Sequence, residues 1–591
     1  MGASGYMDLR KIIILSLMLF LAANLSYGEE SAQKENDYDL KIINEKLIEN
    51  SDQKDEFKIL DEKTFLPQDT QEQKHSKITN EQNLSLLSYD DLVHIYRDKT
   101  YKQNITSKIF SQPIVNNNIS SADKDYPFKK CPHMGDYIRV SFWSIDGGRN
   151  YEQIEDVFFE PEKLTKKIDT KNSKMSYMKG SSITKKEAKQ KVLEEANRFS
   201  QSDILMLNDA DIGLARTDYK NTVDELATTL GYNYALIPEF LEIDPQILGV
   251  SKEVLDNENI SPALMQPHNV DKEKLKAITA IAILSKFPLE NVRVIRLPDF
   301  YDWYGEEKRN VFFGEKVKRY AAENVLNEKT TSHVRLGSRC ALLADTIVDG
   351  EKITLLTVQF EDRTDAIHRA KQAKYLLEQI KSINNPVIVA GNFNTTTRNN
   401  APVRPMRVIK NTFTDIHNLA RFGVGLIFPP GLILNVTRPT IDYFRKSSDP
   451  TVKSIPIIAP NYERKVFNNF KKFTFDDGYR FDFRGDDQSQ IQNFDPNGWL
   501  SNSNERAHVG FVPTYHINRN FGIANSKIDW MFIKGYRTDP FEKEGGSEKF
   551  APHNARTLHT LNFAYKEPIS RHAPLSVDLA ITDFKNIRNA K

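Results

Sequence analysis

The sequence predicts an α/β fold in which two mixed β-sheets face each other with helices on the outside. Three observations carry that expectation. Apolar runs of strand length alternate with helical stretches, the pattern that builds crossovers. Other runs follow one another directly, as "RCALLADTIV" and "EKITLLTVQF" do across Asp349-Gly350, a two-residue hairpin signal. Several runs also end in polar residues, as "NPVIVAGNFNT" does, so that buried strands deliver side chains to one mouth. Meanders and crossovers together favour facing mixed sheets over a single doubly wound parallel sheet.

The elements follow in chain order. "YIRVSFWSI" is a strand ending at Asp146-Gly147-Gly148; "ITKKEAKQKVLEEANRF" is a helix and "DILMLNDAD" a strand. "TDYKNTVDELATTLG" is a helix closed by Gly231, which suits the left-handed position after a last turn. Strands follow in "YNYALIPEF", "AIAILSKFPL" and "NVRVIRLP". Beyond the hairpin, a helix runs from Asp365 to Ile380 with Ile367, Ala370, Ala373, Leu377 and Ile380 on one side. "SKIDWMFIKGY" and "HAPLSVDLAITDF" close the core.

The chain has 591 residues, enough for a sizeable core at 39% apolar content. Lys plus Arg is 81 and Asp plus Glu 80, a net charge of +1 that gives no global argument for nucleic acid or an anionic membrane. Arg10 and Lys11 precede an apolar run from Ile12 to Leu25, with Ser26 and Gly28 placed as a cleavage site, so residues 1–28 read as a signal peptide. The run is short of the roughly twenty residues a span needs, and an exported protein, periplasmic, surface-bound or secreted, is expected. Residues 29–125 are a polar, largely disordered linker by composition, in which "LLSYDDLVHIYRDK" reads as a short helix. The compact domain is placed at 126–591, with an irregular, aromatic-rich insertion at about 400–520. Two cysteines, Cys131 and Cys340, permit one disulfide and form no framework.

The strand mouths offer Ser144, Asp146, Asn208, Asp209, Asp211, Gln359, Glu361, Asn392, Asn394, Asp529 and His572. Each is equally suited to a turn or capping role. A Mg²⁺ site wants carboxylates, for which Asp209 is the candidate ligand and Asp211 and Glu361 the reserves. Hydrolysis further wants a base and a polarised histidine. His572 is the one suitably placed, yet its neighbour is Arg571, whose guanidinium disfavours a protonated ring and cannot orient it.

These blocks resemble the endonuclease/exonuclease/phosphatase superfamily from about Tyr137 to Phe584, nearest a bacterial branch with a long insertion before the last strands. "RTDYKNTVDELATTLGYNYALIPEFLEI", "YDWYGEEKR", "FDDGYRFDFRGD" and "SNERAHVGFVPTY" carry the likeness. The resemblance implies a four-layered α/β sandwich and Mg²⁺-dependent phosphoester hydrolysis. It places a functional Asn on Ser144, the metal-binding Glu on Asp209 and a further Asn on Ile281. A His falls on Gln359, and the Asp and Asn of a "GDxN" block fall on Asn392 and Asn394. The Asp of the late strand is Asp529, and the "SDHxP" motif stands as "SRHAP", with Arg571 where the family has an Asp, and His572 retained.

Asn392 keeps the shape of an aspartate but neither accepts a proton nor attracts a cation, and Gln359 brings no imidazolium charge. Losing one such group typically costs orders of magnitude in rate. The expectation is an exported relative of Mg²⁺-dependent phosphoesterases that is catalytically inactive and binds a phosphorylated ligand or a protein partner. The alternative is an atypical Mg²⁺/Mn²⁺-dependent hydrolase carried by Asp209, Asn394, Asp529 and His572.

Overall fold

The computed structural model describes residues 87–120, 126–131, 135–171, 183–244, 248, 270–309, 334–395, 464–482, 506–507, 510–511, 514–516, 525–535 and 549–581. The stretch read as a signal peptide, the expected linker up to residue 86 and most of the expected 400–520 insertion lie outside them.

In chain order the elements begin with α1 (Tyr89–Arg97), α2 (Gln103–Ser111), β1 (Ile114–Asn116), β2 (Lys129–Cys131), β3 (Gly135–Gly147), α3 (Tyr151–Phe159) and α4 (Pro161–Lys166). Then come α5 (Lys185–Ser200), β4 (Ile204–Ile212), α6 (Thr222–Leu230), β5 (Asn233–Ile243), β6 (Ile278–Ser285), β7 (Glu290–Arg296), α7 (Trp303–Arg309) and β8 (Val334–Gly337). β9 (Cys340–Val348), β10 (Glu351–Gln359), α8 (Ala366–Ile380), β11 (Val387–Asn392) and α9 (Arg464–Lys472) follow. Two short ribbons, β12 (Arg506–Ala507) with β13 (Gly510–Phe511) and β14 (Tyr515–His516) with β15 (Asn525–Ser526), precede β16 (Asp529–Lys534), β17 (Pro552–Thr557), α10 (His559–Phe563) and β18 (Leu575–Ala580).

Two mixed sheets result. The nine-stranded sheet runs β1-β5-β6-β4-β3-β18-β17, with β2 added to β3 and β8 to β5, and the five-stranded sheet runs β16-β11-β10-β9-β7. β3–β4 and β10–β11 are the parallel pairs, and each needs a crossover, supplied by α5 and α8. Apolar side chains between the sheets, including Ile138, Val140, Phe142, Ile281, Leu342, Leu355 and Met531, form one core. A second packs the helices on the outer face of the large sheet, and a third packs α8 and α9 on the small one. Helix, sheet, sheet and helix make the four layers of the expected α/β sandwich.

Local sequence explains several boundaries. Thr184 caps α5 through a capping box with Glu187, and Asp365 caps α8 by accepting from the His368 N–H. The β9–β10 hairpin turns on Asp349 and Gly350, both at positive φ (51° and 75°), the geometry of a type I′ turn. Gly391 has a different reason: a Cβ there would lie 2.0 Å from the Val358 carbonyl oxygen, so β11 reaches β10 only without a side chain at this point.

Three expectations change. The ordered domain starts by residue 87, before the predicted boundary at 126: α1 is capped by Ser88 and Asp91 and buries Leu92, Ile95 and Tyr96, and β1 pairs with β5. Inside the predicted irregular insertion, α9 and the residues after it drive Phe467, Phe470, Phe475 and Phe481 into the core of the small sheet. On α8 the buried stripe includes Ala366, Ala370, Ala373, Leu376, Leu377 and Ile380, whereas Ile367 is 42% exposed. Cys131 and Cys340 are both free thiols, and Cys340 sits between the sheets, where burial pushes its pKa up to about 12.

Candidate active-site cleft

Strand register collects the predicted residues at one edge of the sandwich. Gln359 pairs with Asn392 across β10–β11, and Asn392 pairs with Asp529 across β11–β16, so three candidate positions lie in one row of the small sheet. Ser144 pairs with Asn208 across β3–β4, opposite that row in the large sheet. Both parallel pairs end at this mouth, where polar side chains from the two sheets meet.

The meeting is made by hydrogen bonds. Asn208 Nδ2 donates to the Val358 carbonyl at 2.8 Å, and the Thr357 hydroxyl donates to Asn208 Oδ1 at 2.8 Å, so Asn208 is spent tying the sheets together. Next to it, Asp209 accepts from the Ser144 hydroxyl at 2.6 Å and from Gln359 Nε2 at 3.0 Å. Register irregularities interrupt β3 between Ser144 and Gly147 and β4 between Leu207 and Ala210. Asp146 and Asp209 sit there at φ of 52° and 53°, a left-handed conformation that Asp and Asn tolerate best and that re-aims a side chain. Asn394 (φ 47°) does the same after β11; its N–H donates to Asn392 Oδ1 at 3.0 Å and its Nδ2 to the Phe360 carbonyl at 2.8 Å.

His572 is oriented after all. Its Nδ1 lies 2.9 Å from Asp529 Oδ2 and 3.1 Å from Oδ1, and both residues are buried. The Ser570 hydroxyl accepts from the His572 N–H and donates to the Ser144 carbonyl, and Trp143 Nε1 donates to the His572 carbonyl at 2.8 Å. Thr514 stitches the same loop to β16: its hydroxyl accepts from the Asp529 N–H, and its carbonyl accepts from the Ala573 N–H. The sequence expectation that the ring lacks an orienting carboxylate is therefore corrected. Arg571 does not supply that role or compete for it; its guanidinium pairs with Asp146.

Other candidates separate from the cleft chemistry. Ile281 is buried in the apolar core between the sheets and offers no polar group. Asp211 is held by both Arg216 Nε and Nη2 at 2.7 Å, and burial still pushes its carboxyl up to about 6. Glu361 accepts from Trp303 Nε1 at 2.9 Å and is pushed up to about 7 by burial. Both reserve ligands are thus committed elsewhere.

Sequence reasoning passed over Glu239, Arg339 and Arg149. Arg339 Nη1 meets Glu239 and its Nη2 meets Asp362, each at 2.7 Å in a buried network. Burial pushes the Glu239 carboxyl up to about 7, and its Oε1 is enclosed without a hydrogen-bond partner. A charged residue inside an apolar strand, as in "IPEFLEI", is the signal that could have found it.

The residues present do not fit a Mg²⁺ or Mn²⁺ ion. A hard divalent cation takes several oxygens with carboxylates among them. Among the described residues Asp209 is the one carboxylate in the cleft outside an ion pair or the histidine contact, and both its oxygens already accept from neutral donors. Among the described residues no group of three or more His, Cys, Asp or Glu is placed to hold a metal.

No family model and no curated protein matches the chain. Solved structures that it resembles are proteins of the endonuclease/exonuclease/phosphatase superfamily. One, from Beutenbergia cavernae, is 12% identical with a TM-score of 0.29, over 76% of this chain and 72% of that one. The human Nocturnin catalytic domain with bound sulfate is 15% identical (TM-score 0.31; 77% and 97% covered). A 3'-5' exonuclease from Neisseria meningitidis is 10% identical (TM-score 0.32; 75% and 99%).

Proposed function

We propose that this chain is a binding protein built on a phosphoesterase-type scaffold, and that it does not hydrolyse phosphoesters. The observation that supports this reading is that both oxygens of Asp209 are engaged by neutral donors, the Ser144 hydroxyl and the Gln359 amide. Beside it, Asn392 offers an amide whose Oδ1 is engaged by a backbone N–H. An amide takes no proton from water and brings no charge to a cation, so Asn392 supplies neither the base nor the charged metal ligand that hydrolysis would use at that position. The ligand in this reading is a phosphorylated small molecule, with a protein partner as the other occupant. The signal peptide supports export, which N-terminal sequencing of the mature protein tests. No described helix is long and apolar enough to cross a membrane.

The buried Asp529–His572 pair favours a second reading, a divergent metal-dependent hydrolase. Turnover of generic phosphate mono- and diesters with Mg²⁺ or Mn²⁺ decides between them. Turnover that disappears in Asp209→Ala and His572→Ala would establish the hydrolase; its absence from folded protein supports the binding scaffold.

A further inference from the structure

Beside the Asp209 cluster, the same mouth carries a concentration of arginine. Arg571 pairs with Asp146, and Arg216 is committed through Nε and Nη2 to Asp211 and through Nη1 to Glu242, which Arg335 also meets. Arg149 is different. It is half-buried, its Nε is enclosed with no hydrogen-bond partner, and no ion pair forms to it among the described residues. Its charge is nevertheless felt by Asp146, with those of Arg571 and Arg216.

The loop that bears Arg149 is fixed on both sides. A Cβ at Gly147 would come within 2.7 Å of Asp211 Oδ2, and one at Gly148 within 2.8 Å of Thr222 Cγ2, so the two glycines, at φ of +80° and +83°, press the backbone onto its neighbours. Asn150 Nδ2 then donates to the carbonyls of Pro568 and Ile569 at 3.1 and 2.9 Å, joining this loop to the one that carries Arg571. Arg149 and Arg571 are thereby brought to neighbouring loops of one rim, next to His572.

We propose that Arg149 and Arg571 form an oxyanion site at the rim of the cleft that receives the phosphate-monoester group of a ligand. The inference rests on the binding-protein reading and deepens it by naming the anchor. Guanidinium groups present paired N–H donors that match phosphate oxygens two at a time, and they hold their charge at any physiological pH. Asp146 orients Arg571 and is also felt by Arg149, which supplies a cation with no ion-pair partner among the described residues. A monoester dianion gains more from such a pair than a diester monoanion does.

Calorimetric titration of the full-length protein with inorganic phosphate, phenyl phosphate and diphenyl phosphate tests this. Phenyl phosphate is expected to bind more tightly than diphenyl phosphate. Its Kd should rise at least tenfold in Arg149→Gln and in Arg571→Gln, partly recover in Arg149→Lys, and stay unchanged in Lys374→Ala on α8. Thermal melts by circular dichroism confirm that each variant is folded. Phenyl phosphate binding that survives both glutamine substitutions would overturn this site while leaving the binding-protein reading in place. No phosphate binding by folded wild type would overturn the site and the phosphorylated-ligand reading together.

Discussion

Asp529 opens β16 of the small sheet, His572 lies in the loop that leads into β18 of the large one, and they meet at 2.9 Å, imidazole Nδ1 to carboxylate Oδ2, with both side chains buried. The contact fixes the ring and leaves Nε2 as the nitrogen available to a ligand. Around it, hydrogen bonds with Ser570, Trp143 and Thr514 hold the backbone on either side.

Asp529→Asn keeps the shape of the carboxylate and removes its charge. It should cost about 2 kcal/mol of unfolding free energy, the range for a hydrogen bond to a charged group. Urea unfolding measures the loss, and nitrogen-detected NMR of the histidine ring should show the tautomer no longer fixed. An unchanged stability and an unchanged ring spectrum would mean that the pair does not form.

Asn208→Ala would leave the Val358 carbonyl and the Thr357 hydroxyl without their present partners between the sheets. The expected destabilisation is about 2–3 kcal/mol. Thr357→Val in the same background should recover part of it, because one unpaired group is then removed; a double-mutant cycle in urea checks this.

Phe470 on α9 is fully buried, with its ring 4.3 Å from that of Phe532 and nearly parallel to it. Phe470→Ala should therefore destabilise the whole domain by about 3–5 kcal/mol. Global unfolding at lower denaturant is the expected outcome. A purely local effect, with the midpoint unchanged, would show that this helix is not part of the core.

Glu239 gives a pH dependence. Burial outweighs the attraction of Arg339, with Asp209 adding repulsion and Arg296 and Arg335 opposing it, and the folded pKa stands near 7 against an ordinary 4.5. As pH rises from about 4.5 to 7, the unfolded chain releases this proton before the folded one does. The stability that Glu239 contributes is therefore complete below about 4.5 and lost as pH rises through about 7. Glu239→Gln should show a smaller decline in stability across that window than wild type, measured by urea unfolding at a series of pH values. Parallel profiles would contradict the assignment.

Much of this was legible in the chain. The polar residues ending "DILMLNDAD" and "NPVIVAGNFNT" do reach one mouth, because a strand that is buried along its length can expose side chains only at its end. The hairpin at Asp349-Gly350 and the closure of α6 at Gly231 (φ 69°) were likewise readable from short-range chemistry. What escaped were long-range pairings. Nothing local announces that Asp529 will orient His572, or that Arg571 will turn to Asp146 instead of the adjacent ring. Composition misplaced residues 87–120, because their few apolar side chains are diluted by polar ones, yet Leu92, Ile95, Tyr96, Ile109 and Ile114 join the core. Ile367 shows the converse, an apolar residue on α8 that periodicity assigns to the core and the packing leaves outside.

Calorimetric titration of the full-length protein with Mg²⁺ and Mn²⁺, followed by phosphoester turnover in the same buffer, tests the central claim most directly. The account predicts no binding heat and no turnover from folded protein, because Asp209 is held by Ser144 and Gln359 and no second uncommitted carboxylate joins it among the described residues. Metal binding and turnover that are lost together in Asp209→Ala would contradict it and establish a hydrolase with an altered site.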